Sequence, residues 1–273
     1  AKKTMLLRHL FSMSSGLDYE LDRPSIKRVY ESTGGRCPTL DVVRVLASDP
    51  LCFEPGDHYG YSLSHDVLGG VVELVSGMKL GNYMKEFIFE PLGMKNTTFD
   101  ITTDNYDSIA IQYAYDNLSR SAVEVPKDSN RYRFGSEYQS GGAGLLTTVD
   151  DYILLADALA NFGVGKNGNR ILSSRTVELM RSRFISEGVN REFSIGSNAG
   201  YDYCYGVRCM RRPEDQGSLV PKGAFGWDGA KLSIITADPE NKIAIFHAEH
   251  MGALHSIVVP RFHNVVYSCL DED

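Results

Sequence analysis

At 273 residues, 42% apolar and 23% charged, the chain is long enough to bury a real core and has an ordinary globular composition. A net charge of −7 and a pI near 5.5 give no electrostatic support to a nucleic-acid partner. No apolar run approaches the roughly 20 residues that a membrane-spanning helix needs. The first residues, Ala1-Lys2-Lys3-Thr4, are basic, but Arg8, His9 and Ser12 interrupt the stretch behind them, so it does not read as a signal peptide. Compartment stays open, with a lean to cytoplasmic. The five cysteines, Cys37, Cys52, Cys204, Cys209 and Cys269, are odd in number and scattered, which argues against a disulfide framework.

In chain order, residues 5–20 read as a short helix ending at Ser14-Ser15-Gly16, with the glycine as a left-handed stop. A helix is expected over Asp41–Ser48, and another from Ser64 or Asp66 whose apolar positions Val67, Leu68, Val71, Val72 and Val75 keep the 3.6-residue period. Gly69 and Gly70 inside it cost about 1 kcal/mol each relative to alanine, which implies close packing against a neighbour. Asn82–Phe89 is a further helix, stopped by Pro91 and Gly93. Residues 96–140 are irregular, rich in Asp, Asn, Ser and Tyr, and long for a loop, as in segments that line or cover a site.

Helices follow from Asp150-Asp151 to Gly163 and from Ser173 or Ser174 to about Ser182. The last third alternates: Tyr203–Met210, Lys231–Thr236 and Lys242–Ala248 are expected as strands, the last two joined by Asp238-Pro239-Glu240-Asn241. Cys204 and Cys209, five apart in one such stretch, are expected on opposite faces. Val258, Phe262, Val265, Val266 and Cys269 give a closing helix. The layout is α+β, with residues 1–200 a helix-rich part with cleft-lining loops and 201–273 the antiparallel strands and C-terminal helix of the same domain.

Four constellations could carry chemistry. Phe53-Glu54-Pro55-Gly56 turns the chain into Tyr61-Ser62 at the start of an apolar helix, where polar side chains can face a cleft. A tyrosine with its ordinary pKa near 10 is a poor base unless a cation sits beside it. Gly226-Trp227-Asp228-Gly229-Ala230 places the only tryptophan beside an acid, between glycines, ahead of a strand; an exposed backbone N–H there can serve an oxyanion hole. Ser140-Gly141-Gly142-Ala143-Gly144 lacks the lysine of a phosphate loop and reads as a turn. His247, His250 and His255 invite a zinc reading, but strand positions 247 and 250 face opposite sides, so no metal and no organic cofactor is expected.

The block around Tyr61, together with Leu6–Leu17, Phe89-Glu90-Pro91-Leu92-Gly93-Met94 and the glycine cluster at 141–144, resembles the superfamily of serine β-lactamases, penicillin-binding proteins and class C-type esterases. The resemblance covers almost the whole chain. It implies a β-lactamase/transpeptidase-like fold, an antiparallel sheet flanked by helices beside a helix-rich subdomain, and acyl transfer through an acyl-serine. It implies Tyr61 as the proton-transfer group, Trp227, Asp228 and Gly229 as pocket residues, and Ala230 as a backbone oxyanion donor. Two departures stand out: Leu63 replaces the family's asparagine, and Trp227-Asp228 replaces its cationic pattern, putting carboxylate recognition in doubt.

The family's Ser-x-x-Lys lies upstream of the first matching segment. Ser76-Gly77-Met78-Lys79 has that spelling but falls where Gly77 ends a helix, and Ser62 has no base placed beside it. The sheet is therefore expected to be incomplete, and a separate N-terminal fragment carrying Ser-x-x-Lys is an expected partner beside a small-molecule or peptide-like acyl substrate. β-Lactamase, D-peptidase and esterase activities stay open, with a lean to ester or peptide hydrolysis. The alternative is a non-catalytic relative acting as a binding or scaffolding protein.

Overall fold

The computed structural model describes residues 2–127, 131–252 and 255–270. Helices α1 (Leu7–Phe11), α2 (Pro24–Ser32), α3 (Thr39–Leu46), α4 (Ser64–Ser76), α5 (Leu80–Met84), α6 (Glu90–Leu92) and α7 (Thr103–Tyr106) come first. Strands β1 (Gln112–Asp116) and β2 (Ser121–Val125) follow, then α8 (Val149–Ala160), α9 (Ser174–Met180) and α10 (Glu187–Phe193). Strands β3 (Tyr201–Tyr203), β4 (Arg208–Met210), β5 (Phe225–Asp228), β6 (Ser233–Asp238), β7 (Ile243–Ala248) and β8 (Met251–Gly252) precede α11 (His255–Tyr267). The chain divides into two compact units, one of Ala1–Asp100, Asn130–Thr147 and Phe184–Glu192, the other of Ile101–Ser129, Thr148–Arg183 and Phe193–Asp273.

The first unit is helical. Its core gathers Ile26 and Val29 from α2, Val42 and Leu46 from α3, Leu63 and Tyr138, each fully buried aliphatic contributing about 1.5–3 kcal/mol. Helix α4 shows why its two glycines are there. A Cβ at Gly70 would lie 2.9 Å from Val43, and one at Gly69 would lie 3.0 Å from Leu80, with Gly141 just behind. Gly77 ends α4 in the left-handed region at φ 71°. Helix α1 is shorter than its apolar pattern implied. Ser12 and Ser14 are buried and share a hydroxyl–hydroxyl bond of 2.9 Å, and Met13 sits at φ 51°, so local side-chain bonding draws the backbone out of the helix. Beyond α5 the chain widens into one π turn at Lys85–Phe89, and Gly93 stops α6 at φ 80°.

The second unit holds an antiparallel sheet in the order β3-β4-β5-β6-β7. Leu159 and Ala160 of α8 and Val177 of α9 pack with Phe225, Cys209 and Ala237 on one face. Ile234, which alternates with Ile235, packs with Val259 of α11 on the other. Residues 203–210 are not one strand but most of a hairpin, turned at Cys204–Val207 with Cys204 N–H donating to Val207 O at 2.8 Å. That fold-back corrects the cysteine geometry: Cys209 stands opposite Asp202, two residues before Cys204, so both thiols enter the same apolar core. Trp227 and Asp228 lie within β5 rather than ahead of a strand. The β6–β7 hairpin forms around Asp238, whose carboxylate accepts from Asn241 N–H at 3.2 Å. The stretch read as irregular contains α7 and the β1–β2 hairpin, and β1 also pairs with β8 in parallel.

Two expectations about stability follow from this sheet. At Gly226, opposite Thr236, a Cβ would lie 1.8 Å from Ile235 O, so β5 and β6 approach as closely as they do only because that residue is glycine. Gly226→Ala is expected to cost about 2 kcal/mol by overpacking, read as a lower urea midpoint at unchanged m. His263 of α11, 2% exposed, pairs its Nε2 with Thr236 Oγ1 at 3.1 Å. Burial, then the Arg208 charge, pushes its pKa down to about 4 from 6.5. The folded state therefore resists protonation that the unfolded chain accepts, and stability present above pH 6.5 is lost as pH falls toward 4. The loss is about 3 kcal/mol across that window, and His263→Asn should flatten the slope there.

Candidate active site residues

Tyr61 is positioned by backbone. Gly56 N–H donates to Ser14 O, Gly60 N–H to Met13 O and Leu63 N–H to Asp18 O, at 2.8, 2.8 and 3.0 Å. These bonds knit residues 56–63 against residues 13–18, with Gly56 at φ 90° making the turn. Tyr61 is 42% exposed at the lead-in to α4. Its ring stacks on Tyr19 at 5.3 Å, and Tyr132 meets Tyr19 edge-on at 6.1 Å. Burial, with Tyr61, Asp66 and Tyr132 nearby, pushes the Tyr19 phenol up, so it stays protonated.

The neighbouring hydroxyls are occupied. Ser62 is 1% exposed, with its Oγ 2.7 Å from Ser64 Oγ and 3.5 Å from Met13 Sδ. Ser76 Oγ donates to Val72 O at 2.6 Å and accepts from Met78 N–H at 3.1 Å, while Gly77 breaks the helix before Lys79. Neither serine has the one-turn geometry of a Ser-x-x-Lys nucleophile. Leu63 is buried in the core of this unit.

The glycine cluster at 141–144 is held to α4 by a buried carboxylate. Asp66 Oδ1 accepts from Tyr138 O–H at 2.5 Å and Ser140 O–H at 2.6 Å. Ser140 Oγ in turn accepts from the Gly142 and Ala143 N–H groups. A Cβ at Gly141 would lie 2.3 Å from His65 O, which is why the turn needs glycine where it touches α4. Burial raises the Asp66 pKa, against the lowering effect of these donors.

Trp227, Asp228, Gly229 and Ala230 occur in the second unit and are described there by themselves. The Trp227 ring stacks with Phe193 at 6.2 Å and meets Tyr203 edge-on at 5.2 Å. Asp228 is bound to Arg208 of β4, Oδ1 to Nη1, at 2.8 Å. Gly229 N–H donates to Ser233 O at 2.7 Å and Gly229 O accepts from Leu232 N–H at 3.0 Å, so Ala230 is exposed on the tight turn between β5 and β6. Its N–H donates to no group among the described residues.

Among the histidines, His247 Nε2 lies 2.7 Å from Glu249 Oε1 and its ring packs on Phe262. The His255 side chain lies outside the described residues, and among those described no cluster of three or more His, Cys, Asp or Glu could hold a metal. Sequence reasoning missed Tyr19, Tyr132, Asp66 and Arg208. Only Asp66 had a local signal, as an acid in the first turn of a helix; the others reach their places through long-range pairing.

Known proteins resemble this chain in sequence and in fold. Protein Rv1367c of Mycobacterium tuberculosis is 27% identical over 254 residues, covering 90% of this chain and 62% of that protein. Esterase EstB of Burkholderia gladioli is 32% identical over 175 residues, covering 56% of this chain and 44% of its own. The chain thus spans about half to three-fifths of these curated relatives. EstCE1, a hydrolase with promiscuous acyltransferase activity, superposes with a TM-score of 0.78 over 98% of this chain and 73% of its own, at 24% identity, a likeness of fold. Residues 1–248 match the beta-lactamase family. The chain therefore belongs to the beta-lactamase family and has its α+β fold.

Proposed function

We propose that residues 1–273 form the larger part of a serine hydrolase that cleaves an ester or amide through an acyl-serine. The observation that carries this reading is the family match over residues 1–248, read together with a half-exposed Tyr61 on a backbone-locked turn. Tyr61 moves a proton to and from the nucleophile and the leaving group. Ala230, on its exposed turn, offers a backbone N–H to the oxyanion, and Trp227, Asp228 and Gly229 shape the pocket. The Ser-x-x-Lys belongs to a segment outside residues 1–273, either continuous with this chain or a separate fragment. No lysine or threonine stands on β5 to grip a substrate carboxylate, and the relative EstB is named an esterase; ester hydrolysis is the favoured activity.

A second reading, a non-catalytic binding protein on the same fold, draws on Leu63. Where the resemblance calls for a polar asparagine, this chain buries a leucine in the core. One experiment separates the two. The protein purified from its source is treated with a fluorophosphonate and with a fluorescent penicillin, then weighed intact under denaturing conditions. Serine chemistry requires a labelled polypeptide containing Ser-x-x-Lys, on this chain's own extension or co-purifying with it. Material that stays unlabelled with both probes sinks the hydrolase reading and leaves the binding protein.

A further inference from the structure

The sheet face beneath α11 carries a polar pocket that the acyl-transfer reading does not use in full. It is a small cleft, partly open to solvent, with a cavity volume of ≈ 30 Å³ and with Tyr201, Arg208 and Asp228 from the strands, Ser197 and Ser218 from the adjoining segments and His263 from α11 in its wall. The interior is small, with room for an acid of a few heavy atoms. Its centre is Arg208, 9% exposed, whose guanidinium lies 5.1 Å from the Tyr201 ring centroid and 5.8 Å from that of Trp227.

The hydrogen-bond accounting of that guanidinium is unbalanced. Nη1 lies 2.8 Å from Asp228 Oδ1 in an ion pair and donates to Asn198 Oδ1 at 3.3 Å. Nε and Nη2 donate to no group among the described residues. Those two nitrogens form the side edge of the guanidinium, where two parallel N–H groups match the two oxygens of one carboxylate. Neither nitrogen is sealed from solvent, so both are open to an acceptor that enters from solution. The rest of the wall favours an acceptor too. Ser218 Oγ already accepts from Val220 N–H at 3.1 Å, so its own hydrogen is the one left to give. Asp228, the one carboxylate in the wall, is tied up by Nη1.

We propose that this pocket binds a small carboxylate, held bidentate by Nε and Nη2 of Arg208 with the Ser218 hydroxyl as a further donor. The inference does not rest on acyl transfer, because binding is read on this chain alone.

The test is a titration of the full chain with sodium acetate at constant ionic strength, following the side-chain Nε–H resonances of ¹⁵N-labelled arginine, with sodium chloride and inorganic phosphate as comparators. The expected result is a saturable shift of one arginine Nε–H with acetate. Affinity in the variants is read by isothermal titration calorimetry, which needs no arginine reporter, and should be weakened about tenfold or more in Arg208→Lys, which keeps the charge but loses the fork. The double variant Arg208→Gln/Asp228→Asn removes both charges together, so no lone buried charge is left to unfold the protein, and it should lose the acetate response. An acetate response no larger than that of chloride overturns the proposal, since the two nitrogens are then simply hydrated. Unchanged acetate affinity in both variants overturns it as well, and phosphate binding more tightly than acetate overturns the assignment to a carboxylate.

Discussion

Tyr61→Phe is expected to reduce ester hydrolysis by roughly 10²–10⁴-fold in the enzyme that carries the nucleophile, mostly in kcat, because a positioned proton-transfer group contributes on that scale. The substitution removes only the hydroxyl. The ring keeps its stacking on Tyr19, and the bonds that set residues 56–63 are backbone bonds indifferent to the side chain. Folding stability should therefore stay within about 0.5 kcal/mol of the parent. Steady-state hydrolysis of p-nitrophenyl acetate, with a urea melt of the same samples, gives both numbers. Activity left within a fewfold of the parent would remove Tyr61 from the chemistry while leaving the fold assignment intact.

Asp66→Ala should show the largest loss of stability of the substitutions considered, about 4 kcal/mol. Asp66 is 1% exposed and receives two side-chain hydrogen bonds, from Tyr138 and Ser140. Each such bond is worth about 0.5–1.5 kcal/mol, and truncation strands both donors in the interior at about 1–3 kcal/mol each. Asp66→Asn separates the bonds from the charge. Its amide oxygen can still accept from Tyr138 and Ser140, but its NH₂ replaces the Oδ2 that lies close to Gly142, for an expected cost of about 1 kcal/mol. Because burial raises the Asp66 pKa above the ordinary 3.8, the folded state favours the protonated acid. Its contribution is complete below pH 3.8 and declines as pH rises through the folded value, so the parent's advantage over Asp66→Asn should be greatest in acid. Urea melts of the three proteins at several pH values check both the magnitudes and the slope.

The parts of the fold that could be read from the chain are those with local causes. Helix α4 announced itself by period, its glycines by their cost, and the β6–β7 hairpin by Asp238-Pro239. Helix α2 has Pro24 at its first turn as its sequence signal, and α1 stops short of its apolar pattern where the Ser12 and Ser14 hydroxyls bond to each other. In sequence the β3–β4 hairpin reads as one strand because Gly206, at φ 75°, is the one turn-forming residue between Tyr203 and Met210. The site was legible where a turn and a helix start are adjacent in sequence, as at Tyr61. Arg208 was not, since its meaning depends on Asp228, twenty residues away and across a strand pairing that no periodicity encodes.

The first unit is assembled from three separated stretches of chain, and its closing bonds join the extremes. The Glu192 carboxylate receives the Tyr59 N–H at 2.9 Å and faces His58, and the Arg8 guanidinium lies over the Phe184 ring at 4.5 Å. During synthesis the turn that carries Tyr61 emerges long before these partners exist, and at 5–20 residues per second the wait is on the order of ten seconds. Over that interval Tyr61, its helix and the apolar core beneath them form a nascent chain without its last contacts, one whose final shape is settled only when residues 184–192 leave the ribosome.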